Sequence, residues 1–103
     1  MLESVYEVLL AHELEERGFH VQRQVPVPIR FRGIEFEEGY RLDLLVENLV
    51  VVEIKSVEEL SPVHKKQLLT YLRLTKKTLG LLLNFNVDLM KHGITRIANN
   101  LEE

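Results

Sequence analysis

The stretch Arg41-Leu-Asp-Leu-Leu-Val-Glu-Asn-Leu-Val-Val-Val-Glu-Ile-Lys55 leaves this chain few ways to fold. It reads as two strands with a tight turn at Glu47-Asn48. Each is a short, nearly unbroken apolar run, as expected of strands covered on both faces. Three charges interrupt that background: Asp43, Glu53 and Lys55. Side chains alternate along a strand, so Glu53 and Lys55 share a face. An odd number of connecting residues brings Asp43 to the same face and leaves Leu42, Leu44, Val46, Val50, Val52 and Ile54 as a wholly apolar opposite face. A two-residue turn would throw Asp43 to the other side, because a one-residue slip flips a strand. A three-residue loop or a bulge is therefore expected, with Asn48 suited to a left-handed position.

Two carboxylates and a lysine on such strands are costly unless they are paired or hold a metal. In one reading Glu53 and Lys55 form an ion pair at the rim of the sheet and Asp43 is solvated. In the other, Asp43 and Glu53 hold a hard divalent cation, which prefers oxygen ligands, and Lys55 orients or deprotonates a water or neutralises charge on phosphate. The three residues alone favour the ion pair, since Glu-x-Lys is common on strands. The rest of the chain changes the balance.

At 103 residues the chain is read as one domain, 1–103, with a single modest core. No apolar run approaches the ~20 residues that span a bilayer, and no basic-then-apolar signal segment opens the chain. With no Cys, zinc–thiolate sites, iron–sulfur clusters and disulfides are excluded, which fits a cytoplasmic setting. A formal net charge of −3 argues against a broad basic DNA-binding surface, so any nucleic-acid contact is expected to be local, metal-mediated or shared with a partner.

Leu2 to about Arg17 has helical spacing, with Leu2, Val5, Tyr6, Leu9, Leu10 and Leu14 as one apolar stripe and Gly18 as the stop. Glu3 lies beside the stripe, either as a first-turn acid favoured by the helix dipole or as a third acid reaching a metal site. From Phe19 to Phe31 the period becomes two, giving one half-exposed strand whose prolines suit a sheet edge. Gly33 and Gly39 bracket an acidic stretch (Glu35, Glu37, Glu38) read as a solvated turn. Ser61 caps a second helix with Pro62 in its first turn, running to about Lys76. His64, Gln67 and Tyr71 share one side of it, either touching substrate or packed in and beside the core. His12, His20 and His92 form no ligand pattern. Leu79 to Phe85 reads as a strand, Asn84 and Asn86 as a turn, Gly93 to Ile97 as a short last strand, and Asn99 onward as a frayed tail. The order is helix, three strands, helix, strand and a short last strand: an α/β chain of the α+β kind, with helices packed on a mixed sheet.

Asp43, Glu53-Ile-Lys55 and Gln67-x-x-x-Tyr71 in this order resemble the PD-(D/E)XK nuclease superfamily and its RecB-like branch. Glu3-Ser-Val-Tyr6, Gly39-Tyr-Arg-Leu-Asp43, Val52-Glu-Ile-Lys55, Gln67-Leu-Leu-Thr-Tyr71 and Leu83-Asn-Phe-Asn86 resemble the bacterial GxxExxY proteins over nearly the whole chain. Glu-x-Lys alone is a weak motif; the combination is specific. The literal Pro of the superfamily name is absent, since Leu42 precedes Asp43. The family's Gly would fall just before Met1 and its upstream helix has no counterpart, which is expected to expose apolar surface and favour a homodimer.

The resemblance implies a restriction-endonuclease-like core and metal-dependent hydrolysis of phosphodiester bonds in nucleic acid, with DNA the first choice. Asp43 and Glu53 would bind Mg²⁺ or Mn²⁺ beside the main-chain carbonyl of Ile54. Lys55 would be the catalytic lysine, Glu3 the helix acid, and Gln67 and Tyr71 the accessory motif, with His64 at the rim. Glu3, Gln67 and Tyr71 are expected to approach Glu53 from one side of the sheet. The alternatives are a nucleic-acid-binding or assembly module with the same fold and little turnover, or a structural subunit of a larger complex.

Overall fold

In the computed structural model, which describes residues 2–36, 40–86 and 93–100, the elements run α1 (Glu3–Glu16), β1 (Val21–Pro26), β2 (Ile29–Phe31), β3 (Ile34–Phe36), β4 (Arg41–Val46), β5 (Val50–Lys55), α2 (Pro62–Thr75), β6 (Leu79–Asn84) and β7 (Ile94–Ala98). Five strands form one mixed sheet in the order β1-β4-β5-β6-β7. All neighbours are antiparallel except β5 and β6, which run parallel with Val50 opposite Leu79 and Lys55 opposite Asn84. A parallel pair needs a crossover, and α2 supplies it. Among the described residues no helix is long and apolar enough to cross a membrane.

The β4–β5 hairpin has the expected three-residue loop. Val46 faces Val50, and Glu47, Asn48 and Leu49 lie between them. Glu47 and Asn48 both have φ of 55°, and the Leu49 amide closes the turn on the Val46 carbonyl at 2.9 Å. This odd loop sets the register, and the register brings Asp43 opposite Glu53.

The two helices cover opposite faces of the sheet. Leu45, Val51 and Leu82 pack against Leu68, Tyr71 and Leu72 of α2. Leu44, Val52 and Ile54 pack with Ala11, Tyr6 and Leu10 of α1. Adjacent residues of β5 thus enter different cores, which is why the strand reads as an unbroken apolar run. Leu42 departs from its expected place: it packs with Val27 and Leu45 in the α2-side core. The alternation breaks where Gln24, with φ of 52°, stands between the pairs Arg23–Leu44 and Val25–Leu42.

Four other expectations are corrected. The long strand from Phe19 is two strands, because Pro26 and Pro28 offer no amide to a ladder. β1 is the sheet edge, whereas β2 pairs with β3 around a turn at Arg32 and Gly33, both at positive φ, so the return is not all turn. Glu37, Glu38 and Gly39 lie outside the described residues, as does His92. On α1 the apolar stripe is split: Leu2, Val5 and Leu9 are exposed, while Glu7 and Ala11 are buried. Glu7 tolerates burial because Arg23 donates to its Oε2 at 2.9 and 3.1 Å and Gln24 to its Oε1 at 2.6 Å. Asn99 is not frayed. It is buried, its amide bonds the Thr78 carbonyl and its side chain the Lys77 carbonyl.

α2 lies so close to β6 that a Cβ on Gly80 would sit 2.9 Å from a methyl of the fully buried Leu68. Leu68→Ala should cost about 2–5 kcal/mol through the cavity it leaves. Gly80→Val should cost about 1–3 kcal/mol through overpacking. Urea unfolding of both variants measures this, and a Gly80→Val midpoint equal to wild type would refute the close approach.

Candidate active site

At the ends of β4 and β5 the main-chain ladder gives way to side chains. The register runs from Val46–Val50 to Leu44–Val52. One step further, the Asp43 amide donates to Glu53 Oε1 at 3.2 Å, and the Ile54 amide donates to Asp43 Oδ2 at 2.8 Å. Each carboxylate is thus held by an amide of the neighbouring strand, and the two acids are locked to the backbone that carries them. Asp43 is half-buried and Glu53 is only 6% exposed.

Burial, then the negative charge of Asp43, pushes the Glu53 carboxyl up to about 9; a side-chain hydrogen bond with Asp43 adds to the rise, while the Asp43 amide and the Lys55 charge oppose it. Two carboxylates this close accommodate one positive charge between them, either a proton or a cation. An all-oxygen pair on rigid strands suits a hard divalent ion, so the donor set fits the expected Mg²⁺ or Mn²⁺. Among the described residues, no three His, Cys, Asp or Glu side chains converge as a ligand set, so Glu3 does not complete a triad with the pair.

Lys55 lies two residues beyond Glu53 and is half-buried. Among the described residues the ion pairs are His12–Glu16, Arg17–Glu13 and Arg23–Glu7; Lys55 has no carboxylate partner. The rim ion pair with Glu53 is therefore not formed, and the lysine charge is the last of the influences on Glu53.

Glu3 approaches from the other face. Its Oε2 accepts the Ser56 amide at 2.9 Å, beside an open cleft of about 420 Å³ lined by Leu2, Glu3, Ser4 and Ser56. The expectation that Glu3, Gln67 and Tyr71 come from one side is thus corrected: α1 and α2 flank opposite faces, and Glu3 meets the strand just past Lys55. Three successive residues there are pinned. Phe85 donates to the Lys55 carbonyl at 2.9 Å, Glu3 holds Ser56, and Asn84 brackets Val57, accepting from its amide at 3.1 Å and donating to its carbonyl at 2.8 Å. Tyr6 stacks on Phe85, with ring centroids 4.4 Å apart.

On the α2 side, Tyr71 is buried and meets Tyr40 edge-on, with centroids 5.4 Å apart. Burial, followed by the charges of Glu53, Tyr40 and Asp43, raises its hydroxyl above the ordinary value, and the Gln67 side chain pulls it down. Tyr71 and Gln67 therefore sit on the face of the acidic pair. They line a groove of about 270 Å³ with Tyr40, Val63, Lys66 and Thr70. His64 is engaged elsewhere: its Nδ1 accepts the Ser61 amide at 3.1 Å at the start of α2.

Sequence reasoning gave no role to Tyr40 or Asn84, which it met only within motifs, or to Glu7; Asn84, read as part of a turn, is instead the buried last residue of β6. A polar residue ending an apolar strand is the available signal for Asn84, and proximity to Asp43 that for Tyr40. Glu7 resembles the other acids of α1, and only the tertiary packing onto Arg23 and Gln24 distinguishes it.

Glu53 has an ordinary value of 4.5 and rises to about 9 on folding, so between these pH values the folded chain binds one proton more than the unfolded chain. Stability is then highest below the lower value and falls as pH rises toward the upper one, by at most about 1.4 kcal/mol per pH unit. Melting temperatures in chelator should fall across this window for wild type and stay flatter for Glu53→Gln. Parallel profiles for the two proteins would refute the shift.

Residues 1–97 match the family described as the PD-(D/E)XK nuclease superfamily. Comparison with curated proteins and with solved structures returned no match. Nucleases of this superfamily generally use divalent metal ions, act on nucleic acid and share the restriction-endonuclease-like α+β sheet described above. By that match, carried on a hairpin that sets Asp43 against Glu53 with Lys55 beyond them, the chain belongs to the PD-(D/E)XK nuclease superfamily.

Proposed function

We propose that this protein is a metal-dependent nuclease that hydrolyses phosphodiester bonds, with DNA as its first substrate class. The observation that carries the reading is the carboxylate pair itself: Glu53 is buried against Asp43 and raised to about 9, beside a lysine with no carboxylate partner among the described residues. Packing alone gains nothing from such an arrangement. The motif set further supports placement in the RecB-like branch and the GxxExxY family.

In this reading Asp43 and Glu53 hold the divalent ion, with the Ile54 carbonyl as a third oxygen. When bound, the ion polarises a phosphoryl oxygen and acidifies water. Lys55 supplies an ammonium that orients the attacking water or meets negative charge developing on phosphate. The Asp43 and Ile54 amides keep both carboxylates aimed without further reorganisation. Glu3 acts through Ser56, holding the strand end that carries Lys55. Gln67 and Tyr71 face the substrate, and His64 serves at the rim of α2. A homodimer belongs to the same reading; the exposed Leu2, Val5 and Leu9 of α1 and the apolar furrow formed by Leu10, Leu14, Phe19, Leu81 and neighbouring strand residues support it.

Labelled single-stranded, duplex and branched substrates incubated with Mg²⁺ or Mn²⁺ should be cleaved by wild type and left intact by Glu53→Ala. Lys55→Ala should lower the rate by about 10²-fold or more while keeping the melting temperature and the calorimetric Mn²⁺ affinity. Equal Mn²⁺ binding by wild type and by the Asp43→Ala, Glu53→Ala double variant would remove the metal site from the proposal. Binding without cleavage of any substrate would identify the protein as a binding module instead.

A further inference from the structure

The two helices of this chain carry opposite charge. Within α1 there are Glu3, Glu7, Glu13, Glu15 and Glu16 and no Lys or Arg. From Leu60 to Lys77 there is no Asp or Glu, while Lys65, Lys66, Arg73, Lys76 and Lys77 all fall there. The two helices pack on opposite faces of the sheet. A net charge of −3 therefore conceals one acidic helix and one basic helix.

Lys66 and Arg73 are seven residues apart and lie on one side of α2, both exposed. Among the described residues, none of the five cations has a carboxylate within ion-pair distance; the Lys77 ammonium donates to the Asn48 side-chain oxygen at 3.4 Å. Lys66 also lines the groove whose wall is Tyr71 and Gln67, and Tyr71 is close enough to Asp43 and Glu53 to feel both charges. Of the five cations Lys66 lines this groove, so the basic side of α2 borders a groove whose Tyr71 wall lies near the acidic pair.

We propose that the outer side of α2, centred on Lys66 and Arg73 with Lys65 and Lys76 beside them, is the surface that takes the phosphate backbone of the nucleic acid next to the bond being cut. This rests on the nuclease reading for its direction, because Lys66 borders the groove whose Tyr71 lies near Asp43 and Glu53. Seven helical residues span about 10 Å. Two cations at that spacing, each on a flexible stem, can meet separate phosphates of one strand and fix its register without reading sequence. The acidic α1 side repels the same polyanion, so the molecule orients the substrate before contact. The acidic side of a second copy is the competing partner for a basic face. Nucleic acid is favoured over it because Lys66 borders the groove whose Tyr71 lies near the acidic pair.

The test is binding in chelator, where cleavage cannot occur, of fluorescein-labelled single-stranded and duplex oligonucleotides, followed by anisotropy over a KCl series. Lys66→Glu with Arg73→Glu should weaken binding by tenfold or more. It should also flatten the log–log salt dependence by about 0.7–0.9 for each contact removed. Lys66→Gln alone should give a smaller loss, and the conservative pair Lys66→Arg with Arg73→Lys should restore binding. Arg17→Glu, a charge reversal at the end of α1, should have little effect. Equal losses in Arg17→Glu and in the α2 variants would overturn the proposal, since net charge alone would then explain binding. Unchanged binding in the α2 variants, accompanied by a fall in sedimentation mass, would overturn it in favour of a second copy. Circular dichroism and Mn²⁺ calorimetry on the same variants establish that fold and acidic pair are intact. Loss of cleavage with retained α2-dependent binding would overturn the nuclease reading and leave this inference standing.

Discussion

The arrangement of this protein depends on two carboxylates facing each other across β4 and β5. Placing Asp43 beside Glu53 within an apolar sheet opposes folding unless both are held and their charge is balanced. The fold meets the first requirement with the Asp43 and Ile54 amides, which bond carboxylate oxygens instead of continuing the ladder. It leaves the second to a proton or a cation. That is the physical reason a pair so unfavourable for packing suits a metal.

Several features follow from keeping this strand end in place. The β1–β4 pairing is disturbed at Gln24, opposite Asp43, and the buried Glu7 ties both Gln24 and Arg23 to α1. On the other side, β6 runs parallel to β5, so Asn84 arrives level with Lys55 and clamps Val57. Glu3 holds Ser56 between them. Helices from opposite faces therefore converge on one strand end, one through hydrogen bonds to the main chain and the other through Tyr71 beside the acidic pair.

The same division appears in the electrostatics. α1 buries an acid against Arg23 and carries more acids along its length, whereas α2 carries only cations and neutral residues. In the proposed reading, the basic helix is what lets a chain of net negative charge engage a polyanion on one side.

What the sequence determined by itself is local. Strong apolar runs, the odd loop, Ser61-Pro62 and Gly18 specify the helices, the β4–β5 hairpin and the common face of Asp43 and Glu53, because strand and helix periods are geometric properties of the chain. Pro26 and Pro28 similarly place β1 at an edge and end it, although the period-two pattern runs on through them into β2. Only the tertiary structure decided which face each helix covers, since an α1 apolar on several sides does not state which side is buried. It also decided that Glu7, and not Leu9, faces the sheet, that Asn99 is bonded rather than frayed, and that Glu3 comes round the strand end. Each of these depends on a partner distant in sequence: Arg23 for Glu7, Thr78 for Asn99 and Ser56 for Glu3. Periodicity reports the face a residue shares with its neighbours along the chain; only packing reveals what stands opposite.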